Sequence, residues 1–429
     1  MQIFTLDAVR EQQRESLGIL LNALVPDNQF FASRLREAGL DSGEVTLEQF
    51  ISKMPFTMRE DWTRDQLETP PYGTNLTFAL PVYSRISRSS GTSGTPMIWL
   101  DTPQSWNEML NNWSCVYESA GINDASRIFF AFSFGPFLGF WTAFEAGTRL
   151  GCMCIPGGAM TSIARLELMT HTRANVLCCT PTYAIHLAEV ARKHGLDRER
   201  LAIEKIIVAG EPGGSIPSTR ELISKQWNGA QVFDHHGMTE VGPVSYPCPA
   251  VPGNLHVMET SYLAEVVDPV TGAIGAEGDR GELVLTTLRR IGSPLLRYRT
   301  GDIVQTRRQA PCACGSQELL LEGGIQGRTD DMITVRGVNV WPSAIEEIAR
   351  GICGIEEYQV DIGSDQALQE IRIRVEPCPS SDGARICREF QSRLREALSL
   401  RVQIDEVPPE TLPRFEFKAK RWNRNEGRE

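Results

Sequence analysis

Several absences narrow the field. No Lys/Arg-rich block is present: 43 basic residues stand against 54 acidic ones, a formal net charge of −11. No stretch therefore offers the basic footprint of a nucleic-acid binder, and nucleic acid is not expected as a partner. The chain also lacks a long unbroken apolar run. The longest, IFFAFSFGPFLGFWTAFEAG from Ile128, is interrupted by glycines, a proline, a serine and a glutamate. It predicts a buried strand, loop and helix, with no membrane span. The first sixteen residues carry charges throughout and the apolar residues of this N-terminal segment recur at a helical period, without the basic start and uninterrupted apolar core of a secretory signal, so export is not expected. The 11 cysteines are odd in number and scattered, which excludes a disulfide miniprotein and fits a reducing, cytoplasmic setting.

What is present is ordinary globular composition, 41% hydrophobic and 23% charged over 429 residues, more than one core normally serves. Residues 5–70 read as polar amphipathic helices that form a helical lid or shoulder, followed by a strand predicted at 77–83. From there to about 240, short apolar runs (128–132, 175–179, 205–209) alternate with helical patterns (105–120, 183–194). That alternation predicts a parallel sheet covered by helices. After His236 the texture turns β-rich, with LAEVVDP, GELVLTTL and SPLLRYRTGDIVQT between Gly and Pro turns. The last hundred residues read as a compact α+β unit. The expected fold class is α/β: a large multi-subdomain N-terminal domain (1–329) with parallel sheets and a β-rich part at about 240–326, plus a small mobile α+β C-terminal domain (330–429).

The most informative segment is Ser89-Ser90-Gly91-Thr92-Ser93-Gly94, embedded in RSSGTSGTP. Hydroxyls interleaved with glycines let side-chain O–H and backbone N–H groups converge on an anion, because glycine supplies the positive φ such a nest needs. No lysine follows Gly94, so the P-loop pattern G-x-x-x-x-G-K-[ST] does not apply.

RSSGTSGTP resembles the SSGTTGKP phosphate loop of adenylate-forming enzymes, specifically the phenylacetate-CoA ligase type within the acyl-CoA synthetase superfamily. Five further segments match in order: MPFTMREDW, FDHHGMTE, YRTGD, GRTDDM with RGVNVWP, and LPRFEFKAKR. Thr95 and Phe417 depart from the pattern, standing where the family carries the loop lysine and the glycine before the catalytic lysine.

The resemblance implies an enzyme, an AMP-forming acid–thiol ligase, that joins a carboxylic acid to ATP as an acyl-adenylate and then passes the acyl group to coenzyme A. Ser89, Ser90, Gly91, Thr92, Ser93 and Gly94 would hold the β- and γ-phosphates, and Thr239 the α-phosphate. Glu240 would bind Mg²⁺, and Lys418 would be the catalytic cation. Asp302 would accept hydrogen bonds from the ribose hydroxyls with Arg328 beside it, while Gly210, Glu211, Pro212 and Asp234 would flank the adenine. Asp330 would be the hinge of the C-terminal domain and Gly337 would border the coenzyme A tunnel.

The acid pocket is expected around Phe132, Phe134, Gly135, Phe137 and Leu138 with His235, His236, Gly237 and Met238. Flat aromatic walls favour an aryl acid. Cys248, His256, Cys312 and Cys314 offer three thiolates and an imidazole, the set of a closed structural Zn²⁺ site; some members of this ligase branch carry a comparable zinc knuckle. An acyl carrier protein in place of coenzyme A, a non-catalytic zinc-stabilised binding protein of the same fold, and a homodimer all stay open at this level.

Overall fold

The computed structural model describes residues 4–89, 96–196, 200–276, 278–308, 311–335, 338–365, 368–398, 400–416 and 418–424. Its continuous apolar runs form five parallel strands, in the spatial order Met153–Pro156, Arg127–Phe130, Val176–Cys179, Lys205–Val208 and Gln231–Asp234. Strands such as Val176–Cys179, buried at every position, can be this apolar because helices cover both faces. Those helices, Leu138–Arg149, Ser162–Thr172, Pro181–Lys193 and Pro217–Gln226, are the successive crossovers. Their starts follow local rules: Thr161 and Thr180 cap two of them with their hydroxyls, and Pro181 fits a first turn where no N–H is needed. The order reverses about Arg127–Phe130, so the loops leaving the strands' carboxyl ends flank a crevice.

A second, antiparallel sheet contains Tyr262–Val267, Arg280–Thr287 and Tyr298–Arg307. The short strand Gly327–Arg328 pairs with the last of these and sets Asp302 opposite Arg328. Four helices, Leu6–Asp27, Gln29–Glu37, Leu47–Lys53 and Arg59–Glu68, make the expected N-terminal shoulder and bury Leu17, Leu20, Leu24, Phe31 and Phe50.

One predicted element is absent. Residues 77–83 form no strand; a 3-10 turn, Leu80–Val82, stands there, and the strand comes later, at Arg85–Arg88. Pro81 lacks the N–H a ladder needs, and the Tyr83 hydroxyl, which donates to the Gly292 carbonyl, also accepts from the amides of Thr77 and Phe78, folding the segment onto itself.

From Ile333 onward a separate hydrophobic cluster forms around Val360, Ile373, Ile386, Phe390 and Leu394. It packs helices Pro342–Arg350 and Gly383–Leu398 on a four-stranded sheet, Gln403–Glu406, Leu368–Pro377, Ile355–Asp365 and Trp422–Arg424. Polar contacts tie this unit to the rest. Arg192 pairs with Glu356 at 2.6 Å, Lys193 with Glu410 at 3.1 Å and Arg414 with Glu189 at 3.2 Å. The Ser218 hydroxyl donates to Glu347 at 2.9 Å.

Candidate active site

The loops at the carboxyl ends of the parallel strands, the antiparallel sheet and the segment around Lys418 enclose one cavity of about 760 Å³. Ser89, Thr180, Gly210 to Pro212, Asp234 to Glu240, Asp302, Arg328, Asp330 and Lys418 all line it. Residues from positions 89 to 418 thus converge on one space.

Each is held by a definable local cause. Ser89 closes the neck of the glycine-rich loop: its amide donates to the Met97 carbonyl and its hydroxyl accepts from the Met97 amide, both at 2.9 Å. Ser90, Gly91, Thr92, Ser93, Gly94 and Thr95 lie outside the described residues, as do Gly337 and Phe417. Gly210, just past strand Lys205–Val208, has φ +93°, a conformation side chains resist, and a Cβ there would meet Lys418 Cε at 3.4 Å. The lysine therefore lies directly over this turn.

Glu211 joins two parts of the fold. One carboxylate oxygen accepts from the Thr182 amide at 2.9 Å, in the first turn of helix Pro181–Lys193. The other accepts from the Ala419 amide at 2.8 Å, next to Lys418. Burial lowers the Lys418 pKa below the ordinary lysine range, against the opposing pull of Glu211.

Each oxygen of Asp302 already has one partner before any ligand arrives. His236 Nε2 lies 2.9 Å from one oxygen and Arg328 donates to the other at 3.0 Å. Burial pushes its pKa up, but His236 and Arg328 outweigh burial and hold the carboxyl below its usual range. A carboxylate has about four acceptor positions, so two remain for hydroxyl donors. Arg328 also donates to Asp330 at 2.9 Å. Asp234 closes its strand by accepting from the His235 amide at 2.9 Å, and burial pushes its carboxyl up to about 6.

The turn carrying Thr239 and Glu240 is fixed by two residues the sequence did not single out. Gly237–Met238 pairs antiparallel with Gly242–Pro243, making the turn between them tight. Arg290 donates through Nη1 to the carbonyls of Thr239 and Glu240 at 2.8 and 2.9 Å, and through Nε and Nη2 to the two oxygens of buried Asp101, each at 2.7 Å. Asp101 and Arg290 are 189 positions apart, and neither sits in a motif, so no local signal could have paired them.

The aromatic side of the cavity is lined by Phe132, Phe137, Leu138, Gly139, Phe140 and Trp113. Two expected members are not among its lining. Phe134 is drawn into a ring cluster with Phe130, Trp141 and Phe144, and Gly135 lies behind the Phe137 ring, which a Cβ would meet at 2.8 Å. Trp113, Phe140 and Ala143 take part instead, from helices whose apolar residues read as simple core.

Away from the cavity, Cys248, His256, Cys312 and Cys314 bring their ligand atoms within 4.8 Å of one another. The Cys248–Cys312 sulfurs are 3.7 Å apart, and Cys314 Sγ is 3.3 Å from His256 Nε2. A tetrahedron with bonds of about 2.3 Å has edges of about 3.75 Å, so the set fits zinc. His256 Nδ1 lies 3.2 Å from the Glu318 carbonyl, which fixes the tautomer a metal ligand needs.

Comparisons with known proteins bear on this arrangement. The AMP-binding enzyme family matches residues 89–288, and the AMP-binding enzyme C-terminal domain matches 337–424. Phenylacetate-coenzyme A ligase of Thermus thermophilus is 33% identical, over 86% of this chain and 82% of that one. Its namesake from Pseudomonas putida is 29% identical, over 98% and 94%. Among solved structures, 2-hydroxyisobutyryl-CoA ligase in its postadenylation state superposes with a TM-score of 0.87 at 26% identity, covering 98% of this chain and 89% of that one. The same ligase in its thioesterification state gives 0.70, again at 26% identity, covering 99% and 91%. With a lysine reaching the nucleotide-type cavity from the C-terminal unit and full-length likeness on both sides of it, the chain belongs to the phenylacetate-CoA ligase-like group of adenylate-forming enzymes.

Proposed function

We propose that this enzyme activates an aromatic carboxylic acid with ATP and transfers the acyl group to coenzyme A. The observation that carries the reading is the placement of Lys418 over Gly210 in a cavity shared with Asp302, Arg328, Thr239 and Glu240.

In the first half-reaction the acid's carboxylate attacks the α-phosphorus and pyrophosphate leaves with its electron pair, so no protein nucleophile is required. What the protein supplies is positioned charge. Lys418 bridges the incoming carboxylate and an α-phosphate oxygen, Thr239 donates to the same phosphate, and Ser89 to Gly94 cradle the departing pyrophosphate. Asp302 orients the ribose with its two remaining acceptor positions, and Gly210 to Pro212 with Asp234 flank the base. Glu240 would hold a Mg²⁺ ion, which neutralises phosphate charge when bound.

The second half-reaction needs the thiol where Lys418 now sits. We place the domain boundary at 329/330, with Asp330 as the hinge, so that the C-terminal unit turns and brings Gly337 to the thiol's path. The higher similarity to a postadenylation state than to a thioesterification state supports the view that the present arrangement serves adenylation. Cys248, His256, Cys312 and Cys314 would hold a structural zinc; a closed four-ligand set leaves no open position for chemistry. Among the described residues no helix is long and apolar enough to cross a membrane.

The test is ATP–pyrophosphate exchange across aryl and fatty acids. Exchange with an aryl acid is expected, reduced at least about a hundredfold by Lys418→Ala; exchange by the variant at the wild-type rate would refute the assignment.

A further inference from the structure

The acid-binding end of the cavity contains one side chain whose polarity its aromatic surroundings do not explain. His235 follows strand Gln231–Asp234, is 6% exposed, and lines the cavity together with Trp113, Phe132 and Met238. Its Nδ1 lies 3.3 Å from the Ser245 carbonyl. A carbonyl oxygen only accepts, so the proton of the neutral ring is on Nδ1 and Nε2 presents a lone pair. Burial pushes the imidazole down to about 4, which keeps it neutral at pH 7.

The ring cannot easily turn away. Trp113 packs against it edge to face, with centroids 4.4 Å apart. That indole is locked in turn: its Nε1 donates to the Thr142 hydroxyl at 2.9 Å, and the Thr142 hydroxyl donates to the Leu138 carbonyl at 2.9 Å. A Cβ on Gly237 would meet the Gly242 carbonyl oxygen at 2.9 Å and His235 Cε1 at 3.3 Å, so the backbone packs tightly against this edge of the imidazole and helps to hold it. Nε2 has no hydrogen-bond partner among the described residues. Nor is it one of their sealed, unpartnered polar atoms, which include His236 Nδ1. It is therefore reachable from the cavity that His235 lines.

We infer that His235 Nε2 is the acceptor for a hydrogen-bond donor on the acid's ring, so that the preferred substrate is an aryl acid bearing a hydroxyl or amino group. This rests on the adenylation reading above. A lone acceptor in an aromatic pocket discriminates among ring substituents: a hydroxyl or amino N–H satisfies it, a hydrogen or methyl leaves it unpaired, and a methoxy oxygen opposes lone pair to lone pair. Phe132, Phe137 and Phe140 supply the apolar walls that favour a ring over a small aliphatic hydroxy acid.

The test compares kcat/KM for exchange with matched benzoic or phenylacetic acids that are unsubstituted, hydroxylated, aminated or methoxylated, together with an aliphatic 2-hydroxy acid. The wild-type enzyme should favour one hydroxy- or amino-aryl acid over its unsubstituted and methoxy counterparts by about tenfold or more. In His235→Leu that ratio should fall towards one, and His235→Gln, which keeps an acceptor, should restore part of it. The wild-type comparison stands even if a variant misfolds, because there the donor is deleted from the substrate. Equal rates for donor and methoxy acids, an unchanged ratio in folded His235→Leu, or preference for the aliphatic acid would overturn the inference while leaving adenylation intact. Silence with every acid would overturn both.

Discussion

Replacing Glu211 with alanine separates the two half-reactions if its carboxylate holds the C-terminal unit in the adenylation arrangement. The Thr182 bond lies within the N-terminal region and is present whichever way that unit is turned; the Ala419 bond exists only while Lys418 is docked. A hydrogen bond to a charged group contributes about 1.5–3 kcal/mol, and this one is partly buried, which favours the lower part of that range. The variant also loses the negative charge that favours the ammonium form of Lys418. At about 1.36 kcal/mol per factor of ten, ATP–pyrophosphate exchange at saturating ATP should drop about ten- to a hundredfold. Thioester formation from synthetic acyl-adenylate and coenzyme A, which does not need the docked lysine, should stay within about threefold on the same reasoning. Equal losses in both assays would refute this account. So would a raised KM for ATP with unchanged kcat, which would mean that the carboxylate serves the nucleotide and not the domain contact.

The other outcomes concern pH and metal. Because burial lowers the Lys418 pKa, raising the pH should remove its ammonium earlier than for an exposed lysine, whose pKa is about 10.4. Exchange should therefore decline on the alkaline side, and a profile of kcat/KM flat to pH 10 would contradict the lowered pKa. Purified enzyme should carry one zinc per chain by elemental analysis, and stripping it should lower the melting temperature because the bound ion stabilises only the folded chain. An unchanged melting temperature after verified removal would sink that role.

What was legible in the sequence was whatever local chemistry determines. The helix Pro181–Lys193 announces itself through Thr180 and Pro181, the strand Val176–Cys179 through unbroken apolarity, and the site loops through glycines such as Gly210 directly after a strand. Residues whose roles depend on distant partners were not legible. Trp113 looks like one more apolar position on helix Pro103–Ser119 until Thr142 and His235 are seen beside it. Asp101 and Arg290 acquire their role in holding the Thr239–Glu240 turn only when the chain folds. The strand expected at 77–83 failed for a related reason: apolar residues matched the pattern, but Pro81 and the Tyr83 hydroxyl favoured a turn. Phe134 shows that an aromatic run says rings will cluster without saying which of them face a ligand.

The contacts between the C-terminal unit and the rest bear on how the enzyme behaves between turnovers. Arg192–Glu356, Lys193–Glu410, Arg414–Glu189 and Ser218–Glu347 are all bonds that water can replace, while the hydrophobic cluster of the C-terminal unit closes upon itself. Parting these contacts exchanges their hydrogen bonds for bonds to water, while the Trp341 ring, stacked under Arg280 and against Gly327, is an apolar contact that must be given up as well. A seam of this kind works like a wet clutch, gripping through charge and slipping without damage. Dissolved salt, which screens exposed charges over about 8 Å at physiological strength, then becomes a handle on how long each grip lasts.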